Sequence, residues 1–400
     1  MTSLGFFVLH SYAFSNFQSF RERVEVDLTL SRKTRLTDWM VEVSTGELVS
    51  KLMAVIGPNG SGKTALLKPA AFIGWFVSAS FQAAPDAGIP VAPHFAADDQ
   101  TSEFECVFDW DGKLWRYVLR CTPQRVIHEA LYQRKERYNY VFVRDWNEGA
   151  GNYTVKQQDF GLAAQEAKKV RQNASLISTA AQYGVPLATR LAEDYVITNV
   201  NFLGRRSLDD NAVLSAAEHF ARRPEQSAQM SRLLAAWDLG LSGVELQEIP
   251  SATQQDPSRT IWVPFGKHRG RDAEARLPFA FESSGTQGAF VLLARLLQVL
   301  EIGGLAVIDE FENDLHPHML EPILDLFANP RTNPHNAQLI FTCHAVEVLN
   351  LVNKAQVILV EKDEHCESSA CRLDAVSGIR NDDNFYAKYM AGAYGAVPRF

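Results

Sequence analysis

The chain has 400 residues, 46% of them hydrophobic, which suits two or three packing units rather than one small domain. Its 39 Lys and Arg against 47 Asp and Glu give a net charge of −8, which argues against a protein that coats nucleic acid over its whole surface but leaves room for a local basic groove. The five cysteines (Cys106, Cys121, Cys343, Cys366, Cys371) are odd in number and unpatterned, as in a reducing cytosol rather than a disulfide scaffold.

The N-terminal stretch MTSLGFFVLH carries no basic leader and no cleavage pattern, and the most apolar long stretch, Ala70 to Ala84, is interrupted by Ser, Gly and Gln. A cytoplasmic chain without a membrane span is expected. The first 60 residues read as strands: FRERVEVDLTL alternates apolar and polar side chains, and LMAVIG is an apolar run closed by glycine. FECVFDWDGKLWRYVLRC has an Asp-Gly pair between two alternating runs, a hairpin signal.

From about Gln157 to Leu241 apolar residues recur three and four apart, so helices are predicted, without a sustained heptad. TQQDPSRTIWVPFGKHRGRDAEARLPFAF returns to strand, and ESSGTQGAFVLLARLLQVL reads as a buried helix opened by small polar residues. Beyond it GLAVIDE, MLEPILDLFAN, AQLIFTCH, AVEVLNLV and AQVILVE alternate strand and helix, which implies a parallel sheet with crossover helices. The basic clusters Arg134 to Arg137 and Lys267 to Arg271 read first as solvated faces. His365, Cys366 and Cys371 lack the paired spacing of a zinc site.

The sharpest signal is GPNGSGKT, Gly57 to Thr64, which matches G-x-x-x-x-G-K-[ST] directly after LMAVI and before the helix-forming ALLK. In such a loop Gly57, Asn59, Gly60, Ser61 and Gly62 curl their backbone around phosphate oxygens. Lys63 reaches the β- and γ-phosphates, and Thr64 ligates Mg²⁺. Pro69, inside the following helix, removes a backbone donor and is expected to kink it. LAVIDE ends in two acids at a strand terminus, which assigns Asp309 to the metal and Glu310 to the general base. LIFTCH ends in His344, placed to hydrogen-bond a γ-phosphate from the same sheet edge.

The order of phosphate loop, long insertion, SSGTQ, strand with DE and strand with His resembles an ABC-type ATPase head of the compact kind related to SMC and RecF-like proteins. The resemblance implies a fold: an α/β head with a P-loop core on a parallel sheet, an N-terminal antiparallel β subdomain and a helical insertion. It also implies that two heads pack head to tail around ATP and Mg²⁺. Ser284, Gly285 and Gln287 of one copy would then line the γ-phosphate held by the other, with Glu282 before them and Thr286 standing where Gly is commoner. Asp314, Leu315 and His316 would face the partner, and the Gln loop is open among Gln82, Gln124 and Gln133.

YAFSNFQSFRERVEV and RNDDNFYAKYMAGAYGAVP resemble the ends of RloA-like abortive-infection ATPases. The expected layout is residues 1–150 for the first half of the head, 151–265 for a mainly helical insertion and 266–400 for the second half. The resemblance implies an anti-phage switch that holds a separately encoded nuclease or toxin and responds to a phage component. The alternatives are a DNA-handling RecF- or SMC-like ATPase and, more remotely, a transporter subunit.

Overall fold

The computed structural model describes all residues except 1–6, 32–33, 35–36, 194, 202–203, 207, 238–239, 251–259, 271–272, 314 and 398–400. At its centre lies a six-stranded sheet in the order Val196–Thr198, Leu305–Ile308, Gln338–Thr342, Leu52–Ile56, Val357–Lys362, Ser368–Arg372. The first five strands are parallel and the last is antiparallel. Sequence-distant segments are therefore neighbours, and the strand before the phosphate loop sits between the strand ending near His344 and the one leading to the C-terminus. Parallel strands are buried on both faces, which is why LMAVI and LAVI are continuous apolar runs rather than alternating ones.

Those strands divide two cores. Met53, Val55, Leu305 and Val307 face one cluster, and Leu52, Ala54, Ile56, Ala306 and Ile308 face the other. The first cluster is closed by the helix Lys63–Ala79 and by a seven-stranded antiparallel sheet in the order 152–157, 138–147, 126–134, 113–121, 102–110, 7–15, 24–27. The second is closed by the helices Asp210–Ala221, Pro224–Ala236, Ser284–Ile302 and Leu320–Ala328. Gln338, fully buried, staples the two sheets: its amide donates to Leu9 O (2.9 Å) and Ser50 O (3.0 Å) and accepts from Leu9 N (2.6 Å).

The Asp-Gly hairpin forms as read, with Asp111 and Gly112 both at positive φ between the strands 102–110 and 113–121. The helix after the phosphate loop runs through Pro69, and Leu66 O, three residues before the proline, accepts the Tyr12 hydroxyl at 2.8 Å. Two helices, Lys63–Gln82 and Ser284–Ile302, are long and apolar enough to span a membrane by length and composition. Both are mostly buried between these layers.

The stretch 151–265 mixes helix with strand. Its described residues hold the strands Asn152–Gln157, Val196–Thr198 and Gly243–Pro250 and the start of Thr260–Arg269, beside five helices. FGLAAQEAKKVRQNASLISTAAQYG is not one helix but two short ones, Ala164–Ala167 and Leu176–Gln182, because a buried polar network claims the backbone between them. Arg144 donates to Val170 O (3.0 Å), Arg171 O (2.8 Å) and Ala174 O (2.8 Å). Glu129 accepts from Leu176 N (2.9 Å), Ser175 Oγ (2.6 Å) and Tyr117 OH (3.0 Å), and pairs with Arg144 at 3.4 Å. Both charged side chains are fully buried, so removing one strands the other. Glu129→Ala is expected to cost about 3–5 kcal/mol in urea unfolding. Glu129→Ala combined with Arg144→Met is expected to cost less than the sum of the two single changes.

Candidate functional site

The phosphate loop joins the C-terminal end of the strand Leu52–Ile56 to the helix Lys63–Ala79, and its glycines are needed for space. A Cβ on Gly62 (φ 112°) would lie 2.6 Å from Ser368 Oγ, and one on Gly57 would lie 2.3 Å from Val360 O. The helix has no side-chain cap, so its first N–H groups point at the loop without a protein acceptor from Gly62. Ser61 Oγ is buried without a partner among the described residues, and the Lys63 ammonium turns back onto Gly57 O (2.8 Å) and Pro58 O (3.0 Å). Burial lowers the Lys63 pKa, opposed by Asp309, Glu312 and Glu310. Uncapped N–H groups, an orphan hydroxyl and a desolvated ammonium are what a bound phosphate chain would satisfy.

Asp309 and Glu310 leave the neighbouring strand at the same sheet edge. Asp309, buried, accepts Thr64 Oγ1 on one oxygen (2.8 Å) and Thr342 Oγ1 on the other (2.6 Å). Thr64 and Asp309 thus meet as a hydroxyl and a carboxylate, the hard oxygen donors that suit Mg²⁺. Asn199 clips the peptide groups beside it, donating to Asp309 O (2.9 Å) and accepting Asp309 N–H (2.8 Å). Glu310 sits at φ 49°, an unusual conformation for a non-glycine residue, with its N–H on Thr342 Oγ1 (2.7 Å) and its carboxylate on Arg205 Nη1 (2.5 Å). His344 is exposed, and its backbone N–H donates to Glu312.

One open cleft is lined by Lys63, Thr64, Asp309, Glu310 and His344 together with Asn59 and Gly60. The sequence motifs therefore converge. The cleft also contains residues the sequence did not single out, namely Gln18, Ser19, Lys68 and Lys362. Gln18, Ser19 and their neighbours explain the NFQSF stretch. Phe17 and Phe20 are buried and bridge each other, while Ser19 Oγ and Ser61 O are both tied to Ser368 Oγ (2.8 and 2.7 Å). Gln82, Gln124 and Gln133 do not line this cleft.

Ser284, Gly285 and Gln287 lie apart from these residues and do not line the cleft. They open the helix Ser284–Ile302, and Ser283 caps it by accepting Thr286 N–H at 3.1 Å. One N–H of that terminus is thus already taken. Thr286 is buried and its hydroxyl meets Ser283 Oγ (2.9 Å), so it acts inside the helix start. Ser283, Ser284 and Phe281 are exposed. Glu282 is held from below by His268 Nε2 at 2.7 Å, which ties part of the basic cluster Lys267 to Arg271 to this helix start. Asp314 and Arg271 lie outside the described residues, as does the end of the YGAVP stretch.

A protein-family profile described as "AAA domain, putative AbiEii toxin, Type IV TA system" matches residues 52–350, from the strand before the phosphate loop to beyond His344. The chain belongs to this family. As an AbiEii-type AAA domain it is an ATPase by class, and its fold is α/β, a largely parallel sheet carrying the phosphate loop beside an antiparallel sheet. No protein of curated function matches the sequence. Among solved structures it is similar to an Smc head bound to the C-winged helix domain of ScpA, with 14% identity over 91% of this chain and 96% of that one (TM-score 0.48). It is similar to the SMC head domain from Thermotoga maritima, with 12% identity over 91% and 98% (TM-score 0.40). The Smc head domain with a coiled coil and joint from Pyrococcus yayanosii gives 11% identity over 96% and 99% (TM-score 0.46).

Asn199, Arg205 and Thr342 were not visible as site residues in the sequence, because each acts on an acid from a different strand or loop. Asn199→Ala leaves the N–H and carbonyl of Asp309 unpaired in a buried site. It is expected to lower stability by about 1–3 kcal/mol in urea unfolding, whereas loss below about 0.5 kcal/mol would show that water replaces the amide.

Proposed function

We propose that this AbiEii-type AAA domain is an ATP-binding and ATP-hydrolysing switch of a bacterial anti-phage system. It would assemble through ATP held between two copies and control a separately encoded toxic effector such as a nuclease. The observation that carries the ATPase half is the convergence of Lys63, Thr64, Asp309 and Glu310 on one cleft at the C-terminal edge of the parallel sheet. Support for the defence half comes from the family description, which names a type IV toxin–antitoxin system, and from the resemblance of both ends to RloA-like ATPases.

In this reading Lys63 gives up its two carbonyl contacts for phosphate oxygens, which also relieves the burial of its charge. Thr64 and Asp309 would hold Mg²⁺, with the other oxygen of Asp309 fixed by Thr342. The ion, when bound with ATP, would neutralise charge on the phosphates. Glu310 accepts the proton of the attacking water, and Arg205 holds its carboxylate to one side in the nucleotide-free form. His344, on the same edge, hydrogen-bonds the γ-phosphate.

Ser284, Gly285 and Gln287 serve the cleft of a second copy. Their distance from the first copy's cleft supports a composite site, as does Phe281, 74% exposed beside them and suited to burial against a partner.

Glu310→Gln keeps the shape of the cleft and removes the base. It is expected to bind ATP, to hydrolyse it at least about 100-fold more slowly, and to accumulate the ATP-bridged assembly. Purified from its native host with ATP, it should carry a stoichiometric effector encoded nearby, identified by mass spectrometry. Recovery of DNA and repair factors without such an effector would instead favour a RecF- or SMC-like role in DNA handling.

A further inference from the structure

Beside Glu310 a second cleft of about 500 Å³ including its mouth runs between Asn199, Arg205, Arg206 and Leu208 on one side and the helix Ser284–Ile302 on the other. It continues along the helix Asp210–Ala221, and Arg205, Arg206 and Arg295 line both parts. The concentration of cations is unusual for a chain of net charge −8.

The three arginines are not equally satisfied. Arg205 is paired with Glu310. Arg206 has an exposed side chain and makes no ion pair among the described residues. Arg295 stands three turns into an otherwise apolar helix, is largely buried, and makes no hydrogen bond or ion pair among the described residues. The charges that act on it are those of Arg206 and Arg205, both of its own sign, and with burial they lower its pKa. Of the carboxylates nearby, Glu310 faces Arg205, and Asp209, an exposed helix cap on Ala212 N–H (2.8 Å), makes no ion pair with Arg206 or Arg295. Burying a guanidinium against like charges is unfavourable unless an anion completes the set.

We propose that this cleft is a second anion site, separate from the nucleotide cleft, that takes a phosphate-class dianion on Arg205, Arg206 and Arg295. Three guanidinium forks match the oxygens of a terminal phosphate better than a single carboxylate, which offers two acceptors. The cleft is open to solvent and has room for a phosphate group. Asn201 and Gln298, on its walls, supply neutral polar groups for the rest of such a ligand. The site goes beyond the ATPase reading: it shares Glu310 with the nucleotide cleft, but neither Lys63 nor Thr64 lines it. Its position has a consequence for the base, because an anion that engages Arg205 competes with the carboxylate of Glu310.

The test uses the full chain with Lys63→Ala, which disables the phosphate loop, and inorganic phosphate as the probe in calorimetry and thermal melting. Phosphate is expected to bind and raise the melting temperature, and Arg295→Gln or Arg206→Gln is each expected to weaken that binding at least about tenfold. No phosphate response, or one unchanged by both variants, overturns the site. Arg295→Leu adds a readout that a purely structural arginine would not give. Without phosphate it should melt higher than its parent, because an unpaired buried charge is gone, whereas a lower melting temperature contradicts the proposal. A short single strand with a 5′-phosphate, compared with the same strand lacking it, distinguishes the sources. Tighter binding of the phosphorylated strand assigns the site to nucleic-acid ends, and equal weak binding assigns it to free phosphate.

Discussion

A carboxylate placed at the end of a buried strand is tolerable only if its lone pairs are used, and the way Asp309 uses them organises the site. Two hydroxyls, from Thr64 and Thr342, fill the carboxylate, and the Asn199 amide fixes the Asp309 backbone, so the residue is held from three directions along one sheet edge. Asn199 follows the strand on one side, Thr342 ends the strand on the other, and Thr64 comes from the loop one strand further on. These contacts require the strand order of the parallel sheet, so the topology and the site are one constraint. The two cores on either side of the sheet supply the rigidity that keeps the contacts within hydrogen-bond range.

Glu310 is treated differently from its neighbour. Asp309 is locked on both oxygens, while Glu310 stands in a left-handed backbone conformation and is paired with a cation from the 199–208 segment. That segment leads into the helices Asp210–Ala221 and Pro224–Ala236, which pack against the helix that opens with Ser284. The middle of the chain is therefore mechanically connected to Glu310 and to the helix start proposed to meet a second copy. Movement of those helices would alter both at once, which is the kind of coupling an ATP-driven switch needs.

Much of this was legible in the sequence where chemistry and local pattern coincide. Gly57 to Thr64 is local, because glycine, lysine and threonine act within eight consecutive positions, and its strand and helix flanks were equally readable. The buried helix from Ser284 and the strands ending at Asp309 and near His344 were legible for the same reason. Asn199, Arg205 and Thr342 were not, since each takes its meaning from pairing between distant strands. The broken helices near residues 164–182 were hidden by Glu129 and Arg144, whose strand positions reveal nothing of the backbone groups they meet. Thr286 looked like a departure at a contact surface, and its buried hydroxyl shows a local capping role.

The central claim is that the catalytic site is divided between two copies of the chain. It is tested by mixing two variants, Lys63→Ala, which lacks a working phosphate loop but keeps Ser284, and Ser284→Arg, which keeps the loop but blocks the helix start. Each alone should be inactive as an ATPase. The mixture should regain activity, because one of the two sites in a mixed pair is intact. Inactivity of the mixture despite formation of mixed pairs, or full activity of Ser284→Arg alone, would contradict a divided site.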